Sequence, residues 1–333
     1  MNLPSRRYVF TRFLTYLLTI WISATLIFLV QRLAPGDPVE ATVARLVADS
    51  GNYPGAQDMI DAWRERLGLN DPLLVQYFRF MKGAFTLDLG FSLLSFPTPV
   101  TSIIATALPW TIGMLSAAIL IAFVTGSILG AYLGWDRTPR WIKSLLPATL
   151  VFTALPAVLS AVFLLFLFSG VLGWFPSRGA YARGLDPELS LEFIASVIHH
   201  GTLPAMSIAL VSFGSWALGM RGMLVTISGE DYTVLARAVG FRPSYILYRF
   251  MVRNAMLPQL TALALAMGNL IAGAVLVETI FGYPGMGTVL VNAIRNQDFT
   301  TVQGCSLILI FTAATAVLLI DLIYPLIDPR IKL

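Results

Sequence analysis

Two acidic residues fall within apolar stretches of the chain, where a carboxylate could take part in proton transfer. Glu278 follows the apolar run "LIAGAVLV", and Asp321 follows "ATAVLLI". Ionisable groups inside membrane segments are candidates for proton relays. Both residues lie near an end of their stretch, where water reaches a side chain. Structural capping or an ion pair is therefore the alternative interpretation, and the sequence favours it.

The remaining reactive side chains do not form a catalytic or metal-binding pattern. His199 and His200 are adjacent, so they cannot share one helix face as metal ligands would, and we expect an interfacial position for them. Cys305 is the single cysteine, which excludes an internal disulfide and favours a small buried apolar residue. The chain also lacks a G-x-x-x-x-G-K-[ST] loop, so it does not bind ATP through that motif.

A glycine-rich stretch, "GYPGMGT" at 282–288, leads out of an apolar run into a polar one. Without a lysine it does not indicate a nucleotide site, and it predicts a tight outer turn. The residues that we assign to an outer gate or turn are Glu278, Tyr283, Pro284 and Gly285.

The composition places these residues in a membrane protein. Of 333 residues only 12% are charged and 57% are hydrophobic, and the mean hydropathy is +0.77. A soluble domain carries about 25% charged residues. The net charge of +4 comes from basic residues that flank apolar runs, without a Lys/Arg-dense patch, which excludes nucleic-acid binding.

The sequence predicts an all-α integral membrane protein with six transmembrane helices. The predicted spans are Phe10–Leu33, Ala107–Trp135, Ser144–Leu172, Leu203–Met220, Leu257–Glu278 and Gly304–Leu326. Thirteen of the 22 Lys and Arg residues fall on the side of the termini, which predicts that both termini are cytoplasmic. The predicted parts are an N-terminal span (1–33), an extracytoplasmic segment (34–106) and a five-helix core (107–333) that contains a cytoplasmic segment at 221–256.

The extracytoplasmic segment is expected to be folded. "AQDMIDAWRERLG" predicts one helix that ends at Gly68, and a second helix begins at Asp71-Pro72 and runs through "LLVQYFRFMKGAF". The second helix places four apolar residues on one face, namely Leu74, Tyr77, Phe78 and Met81. The 34–106 segment as a whole is expected to lie on the outer membrane surface or over a channel mouth, or to serve as a structural cap.

Small residues four apart in two spans allow helices to approach closely in lipid. The helix-packing candidates are Gly126, Gly130, Gly134, Ala264, Gly268 and Ala272. Packing within one chain and a seam against a partner subunit are both open. Pro147 and Pro156 predict kinks in the third span.

A short amphipathic helix is predicted between the fourth and fifth spans, in "SGEDYTVLARAVGF". Ser228 is its predicted N-cap and Gly240 ends it. An apolar stripe at helical spacing consists of Tyr232, Leu235, Ala236 and Val239. The helix is too short to span, so the stripe either lies on the inner leaflet, anchored by Arg237 and Arg242, or docks into another protein.

"DYTVLARAVGF…YRFMVRNAMLPQL" resembles the cytoplasmic coupling segment, the E-A-A loop, of ABC-importer permeases, and is most similar to B-type permeases of the dipeptide/oligopeptide family. "FLVQRLAPGDP", "RLGLNDPLLVQYFRFMKGAFTLDLGFS", "LVETIFGYPGMGTVLVNAI" and "DLIYPLIDPRIK" resemble that family in the same order, over nearly the whole chain. The chain departs from it at 234–236, where Val-Leu-Ala replaces Glu-Ala-Ala, and at Leu87, where the family often has glycine. The usual proline comes later, as Pro258.

The resemblance implies a transport subunit of the inner membrane that is not itself an enzyme. It implies a second, C-type permease, two ATP-binding subunits and an extracytoplasmic substrate-binding protein, with membrane lipid around them. ATP and Mg would be bound by the partner subunits and no cofactor by this chain. The implied ATPase-coupling residues are Glu230, Asp231, Tyr232, Leu235, Ala236, Arg237, Gly240 and Phe241.

The substrate class stays open between oligopeptides and small oligosaccharides, and other members of the family carry opines or nickel complexes. "SLEFIASVIHHGTLPAMSI" resembles members associated with β-linked oligosaccharides. Trp110 and Trp174 either stack on sugars or belong to aromatic belts.

Two other classes of protein compete with the permease interpretation. A proton-coupled secondary transporter would use Glu278 and Asp321, and it predicts internal repeats, which the sequence does not show. A membrane-anchored scaffold or receptor would use the 34–106 segment and would not need a cytoplasmic coupling helix.

Overall fold

The computed structural model describes residues 6–33, 39, 56–66, 68–269 and 271–327, and almost all of this part of the chain is helical. The N-terminal half contains α1 (Arg6–Leu33), α2 (Ala56–Arg66), α3 (Leu73–Thr86), α4 (Val100–Gly134), α5 (Arg140–Lys143), α6 (Leu146–Ala154) and α7 (Ala157–Leu164). The C-terminal half contains α8 (Leu191–Ser228), α9 (Asp231–Ala238), α10 (Pro243–Tyr245), α11 (Arg253–Asn269), α12 (Ile271–Phe281), α13 (Met286–Arg295) and α14 (Phe299–Ile327). Two π-helical stretches, Leu165–Val171 and Ile246–Val252, continue α7 and α10.

Several of these helices are long and apolar enough to cross a membrane. Among the described residues, four single helices qualify (α1, α4, α8 and α14), and the number rises to six if each of two bent helix pairs forms one span. The chain is thus a nearly all-helical protein with four to six candidate spans. The "APGDP" turn at 34–38 and the C-terminal residues 328–333, on which the predicted position of the C-terminus rests, lie outside the described residues.

The third predicted span, Ser144–Leu172, is not one continuous helix. It bends by 106° between α6 and α7. Leu155 is extended there, with φ −79° and ψ 127°, because a proline disfavours the helical conformation of the residue before it. The predicted kink at Pro156 is therefore a sharp break. Pro147 does not kink a helix, because it lies in the first turn of α6, where its missing N–H costs no helical hydrogen bond.

The fifth predicted span, Leu257–Glu278, is divided into α11 and α12, and residue 270 between them is not described. The "GYPGMGT" stretch does form a turn, with Gly282 at φ +53°. The polar loop predicted after it is wrong, because residues 286–295 form α13. The sequence of α13, "MGTVLVNAIR", has apolar residues at helical spacing. The prediction of a loop gave more weight to the polar residues that lie among and after them.

Helix α8 extends well beyond the predicted span Leu203–Met220 at both ends. It begins after Ser190, whose hydroxyl accepts a hydrogen bond of 3.2 Å from the Phe193 amide, as an N-cap does. His199 and His200 consequently lie within the helix. The His199 Nε2 atom is 3.0 Å from the Trp174 carbonyl oxygen, which links the helix to the loop before it.

Two compact units make up the chain. The first unit comprises residues 1–9, 112–283 and 316–333, and the second comprises 10–111 and 284–315. The first unit has a core between the end of α4, the C-terminal half of α8 and the segment after α9, which contains Met220, Leu224, Ala236, Leu247 and Met251. The second unit has a core that contains Val100, Ile104, Ala107, Met286 and Cys305.

The two helices predicted before α4 are both present. Helix α2 is followed by Gly68 at φ +63°, and α3 begins after Pro72. The predicted apolar face of α3 is partly wrong. Met81 is buried and Tyr77 is half-buried, but Leu74 and Phe78 are 72% and 68% exposed. The buried face is shifted around the helix, because Phe80 and Ala84 pack beside Tyr77 and Met81.

Candidate functional site

The helix predicted to couple the chain to a partner is α9, and its beginning differs from the prediction. Glu230, with extended φ −68° and ψ 143°, is the N-cap residue, and Asp231 lies in the first turn. Ser228 is the last residue of α8 instead. Its hydroxyl accepts a hydrogen bond of 2.7 Å from the Arg237 guanidinium. Ser228 was a plausible cap because it precedes two acidic residues, but α8 continues through it.

Gly240 ends α9 in a left-handed conformation. Its φ is +85°, its amide donates to the Arg237 carbonyl (3.1 Å), and the Phe241 amide donates to the Ala236 carbonyl (3.2 Å). This pair of bonds is the Schellman arrangement, which satisfies the last carbonyl groups of a helix. A Cβ on Gly240 would meet no atom within 4 Å. The backbone conformation, rather than crowding by neighbouring atoms, therefore favours glycine at this position.

The buried face of α9 is narrower than the predicted stripe. Thr233 is fully buried and Ala236 is 3% exposed, and Ala236 packs in the core with Leu224, Leu247 and Met251. Three apolar side chains of the helix remain largely exposed, namely Val234 (51%), Leu235 (63%) and Val239 (66%). The helix therefore presents an apolar outer face without cover in the described residues.

An aromatic cluster continues this exposed face beyond Gly240. The ring of Phe241 lies 5.4 Å from that of Tyr245 and 5.9 Å from that of Phe250. Phe241 and Tyr245 are 45% and 48% exposed. The sequence reasoning included Phe241 but missed Tyr245 and Phe250. Tyr245 lies four residues after Phe241, but Phe250 lies nine residues after it, half a turn out of phase for an α-helix. The π-helical stretch Ile246–Val252 lies between Tyr245 and the end of this segment, so α-helical spacing gave no signal for Phe250.

Two contacts of polar side chains fasten the 221–256 segment to the end of α4. The Arg237 guanidinium lies 3.4 Å from the Asp136 carboxylate. The Tyr248 and Tyr132 hydroxyl groups are 2.8 Å apart. This hydrogen bond, together with desolvation and the neighbouring phenol, raises the pKa of Tyr248 above its usual range. Neither Asp136 nor the tyrosine pair was predicted, since only the folded chain brings them together.

Gly126, Gly130 and Gly134 face α8 within the same unit. A Cβ on Gly126 would lie 2.7 Å from the Phe213 carbonyl oxygen, one on Gly130 would overlap the Ala217 carbonyl oxygen, and one on Gly134 would lie 2.8 Å from Leu224 Cβ. The three glycines thus allow α4 to pack closely on α8 within the chain. The side chains of the second stripe, Ala264, Gly268 and Ala272, lie outside the described residues.

The residues assigned to the outer gate or turn occupy different environments. Glu278 is fully buried and Tyr283 is 3% exposed, and the Tyr283 amide donates to the Glu278 carbonyl oxygen at 2.8 Å. Pro284 is exposed, and Gly285 is the N-cap residue of α13. The loop before α8 is fastened to this turn, because the Gly179 amide donates to the Phe281 carbonyl oxygen at 3.0 Å.

Asp321, the second candidate for proton transfer, is half-buried in α14. Its backbone carbonyl accepts a hydrogen bond of 3.0 Å from the Tyr8 hydroxyl, which connects the first and last helices. Within the described part of the chain, no group of three or more His, Cys, Asp or Glu residues could hold a metal ion.

Comparison with known proteins assigns the chain to a family. Residues 126–333 match the family model described as binding-protein-dependent transport system inner membrane component. The chain is 34% identical, over 98% of its length and 99% of the relative's, to a putative peptide permease protein of Brucella suis biovar 1. It is 33% identical to the probable D,D-dipeptide transport system permease protein DdpB of Escherichia coli K12, with 91% of each chain covered.

A third relative has a more distant sequence and equally broad coverage. The oligopeptide transport system permease protein AppB of Bacillus subtilis is 28% identical over 92% of each chain. The expected resemblance to B-type permeases is confirmed by these matches, which extend over nearly the whole sequence. The chain therefore belongs to the binding-protein-dependent transport system inner membrane components, and it is a multi-pass permease subunit of the ABC-importer class.

Proposed function

We propose that this permease forms half of the translocation path of an ATP-driven peptide importer, and that α9 transmits force from an ATPase subunit. The exposed apolar face of α9 is the observation that carries this proposal. Leu235 and Val239 are 63% and 66% exposed on a helix of only eight residues. Apolar surface of this kind is stabilised when a partner covers it.

The local structure supports docking rather than a loose loop. Thr233 and Ala236 are buried beneath the helix, and the Arg237 guanidinium reaches both the Ser228 hydroxyl and the Asp136 carboxylate. The helix is thus fixed to the ends of α4 and α8. A force on α9 reaches both of these long helices through direct contacts.

The proposed assembly follows from the family. The chain crosses the membrane six times, with both termini and the 221–256 segment in the cytoplasm. A C-type permease completes the path, two ATPase subunits bind ATP and Mg on the cytoplasmic side, and an extracytoplasmic binding protein delivers the substrate. Peptides are the proposed substrate class, because the names of all three relatives refer to peptides.

The docking proposal is tested with Leu235→Asp in the complex purified from its own membranes. Leu189→Asp is the matched control, because Leu189 is 95% exposed in the loop before α8 and the same charge is introduced there. We expect Leu235→Asp to abolish co-purification of the ATPase subunit and Leu189→Asp to retain it. Equal recovery of the ATPase with both variants would contradict the coupling role of α9.

The substrate is tested by uptake in cells that carry or lack this chain. Loss of di- and oligopeptide uptake on deletion, with restoration by the intact chain, is the expected result. Loss of oligosaccharide uptake instead would reassign the substrate class. Uptake that persists without ATP and stops when Glu278 is replaced by Gln would favour the proton-coupled alternative.

A further inference from the structure

Helix α3 packs against the end of the first span. The hydroxyl groups of Thr25 and Tyr77 share a hydrogen bond of 2.9 Å. The ring of Phe28 lies 5.4 Å from that of Tyr77 and 5.7 Å from that of Phe80. Ala24 and Met81 are buried together in one cluster with Leu307 of α14.

These contacts fix the depth of α3 relative to the apolar part of α1. Residues 13–30 carry no charge, and Gln31 and Arg32 end the stretch. At about 1.5 Å per residue, Phe28 lies about 3 Å and Ala24 about 9 Å inside the end of this stretch. Interfacial helices place their apolar face about 5–10 Å into the boundary between headgroups and acyl chains. The packed face of α3 therefore lies at the depth of an interfacial helix.

A second apolar face of α3 is exposed beside the packed one. Leu74, Phe78 and Phe85 are 72%, 68% and 71% exposed. Their spacing of four and eleven residues places them within about 40° of one another around the helix, adjacent to the buried Met81. At the same depth α1 also exposes apolar side chains, since Leu26 and Val30 are 55% and 67% exposed on the side of α1 away from Ala24 and Phe28.

The adjoining face of α3 carries the basic residues Lys82 and Arg79, with Val75 between them 45% exposed. Lys82 follows the apolar stripe around the helix and is exposed. The Arg79 guanidinium lies 2.6 Å from the Asp71 carboxylate at the start of the helix. Basic side chains beside an apolar stripe are typical of helices at a membrane surface, where their charges reach lipid phosphates.

We propose that α3 is an interfacial helix embedded in the leaflet in which the first span ends, with Leu74, Phe78 and Phe85 among acyl chains and Lys82 at the headgroups. The occupant of the exposed stripe is lipid, because α3 packs on α1 within about the last 9 Å of its uncharged stretch, a depth at which exposed apolar side chains meet acyl chains. The inference rests on α1 spanning the membrane and is independent of the role proposed for α9.

Spin-label accessibility in lipid nanodiscs tests this placement. Labels are attached to Leu74→Cys, Phe78→Cys and Phe85→Cys, each in a Cys305→Ala background of the full chain with its co-purifying subunits. Val30→Cys is the reference on the exposed apolar surface of α1, and Lys82→Cys is the matched control at a charged position of α3. The measured quantity is the ratio of collision rates with oxygen, which enters lipid, and with a water-soluble nickel chelate.

We expect ratios at the three stripe positions that match the ratio at Val30 and are several times that at Lys82. A ratio equal to that at Lys82 would place the stripe in water and overturn the proposal. Low collision rates with both reagents would show that another protein covers the stripe, and this too would overturn it. The three substituted side chains are exposed, so each label position gives an independent reading with little effect on folding.

Discussion

The Asp298 carboxylate accepts a hydrogen bond of 2.5 Å from the Ser92 hydroxyl, across 206 positions of sequence. It also accepts from the Leu93 amide at 3.1 Å. At the start of α14 it accepts from the Thr301 amide (3.1 Å) and the Thr301 hydroxyl (2.7 Å). Asp298 is only 1% exposed. One buried carboxylate thus caps α14 and fixes the loop that precedes α4.

Replacing Asp298 with Ala is expected to destabilise the chain by about 3 kcal/mol, because several buried donors lose their acceptor and a helix loses its cap. Asp298→Asn keeps one acceptor oxygen and the shape, so a smaller loss is expected. Thermal unfolding of the purified complex measures both. Asp88→Ala is the control, since Asp88 is exposed in the same unit. Equal stability of Asp298→Ala and Asp88→Ala would show that the buried network contributes nothing.

Gly130→Ala is expected to destabilise the packing of α4 on α8 by about 1–3 kcal/mol, because the new methyl group overlaps the Ala217 carbonyl oxygen. Gly113→Ala is the matched control in the same helix, where a Cβ meets no atom within 4 Å. That substitution should be neutral or slightly stabilising, because alanine favours the helix. The yield of folded protein and its melting temperature in detergent distinguish the two variants. Similar values for Gly130→Ala and Gly113→Ala would contradict the close packing of α4 on α8.

Gly240→Val is expected to reduce substrate uptake while ATP hydrolysis continues. The φ of +85° costs an L-residue about 1–2 kcal/mol, and a β-branched one more. The end of α9 should therefore shift without loss of the fold. Gly240→Asn is the comparison, since asparagine tolerates the left-handed region better. Uptake and ATPase rates in proteoliposomes test this, and normal uptake by Gly240→Val would refute the role of the turn.

Thr233→Val is expected to leave stability unchanged or to raise it by up to about 1 kcal/mol. The Thr233 hydroxyl is buried and lacks a hydrogen-bond partner among the described residues, and valine has nearly the same shape without the desolvated oxygen. Thr233→Ser keeps the hydroxyl and loses a methyl group, so it should be less stable than Thr233→Val. A melting temperature for Thr233→Val below that for Thr233→Ser would indicate that the hydroxyl stabilises the site.

Local patterns in the sequence were sufficient to predict most of the helices and the residue at which α9 ends. Apolar runs predicted the positions of α1, α4 and α14 to within several residues, since a membrane helix needs about 20 apolar residues. Gly68 and Gly240 were predicted as helix ends, and both have positive φ. These features depend on neighbouring residues alone, which is why one sequence predicts them.

Features that depend on distant residues were missed. Asp298 was counted only as one acid of a polar loop, since nothing near it in sequence reveals Ser92 as a partner. The outer face of α9 was predicted with Ala236 in it, because helical spacing does not indicate which arc of an apolar helix the core covers. The break at Leu155 was underestimated, because the degree of bending at a proline depends on what packs against the two halves.

The close packing of α4 on α8 has a mechanical consequence. From Ala205 to Ser228 the long helix contains no proline, and at about 1.5 Å per residue this stretch is about 36 Å long. A Cβ at Gly126, Gly130 or Gly134 of α4 would overlap this stretch, so a slide that brought a larger residue of α4 to one of these points would produce a clash. If an ATPase subunit acts on α9 as proposed, the force is applied at the end of a stiff pair of closely packed helices. A tilt of about 5° around the α9 end would move the other end of this stretch by about 3 Å, so a small rotation at α9 becomes a displacement of atomic size at the opposite end of the two helices.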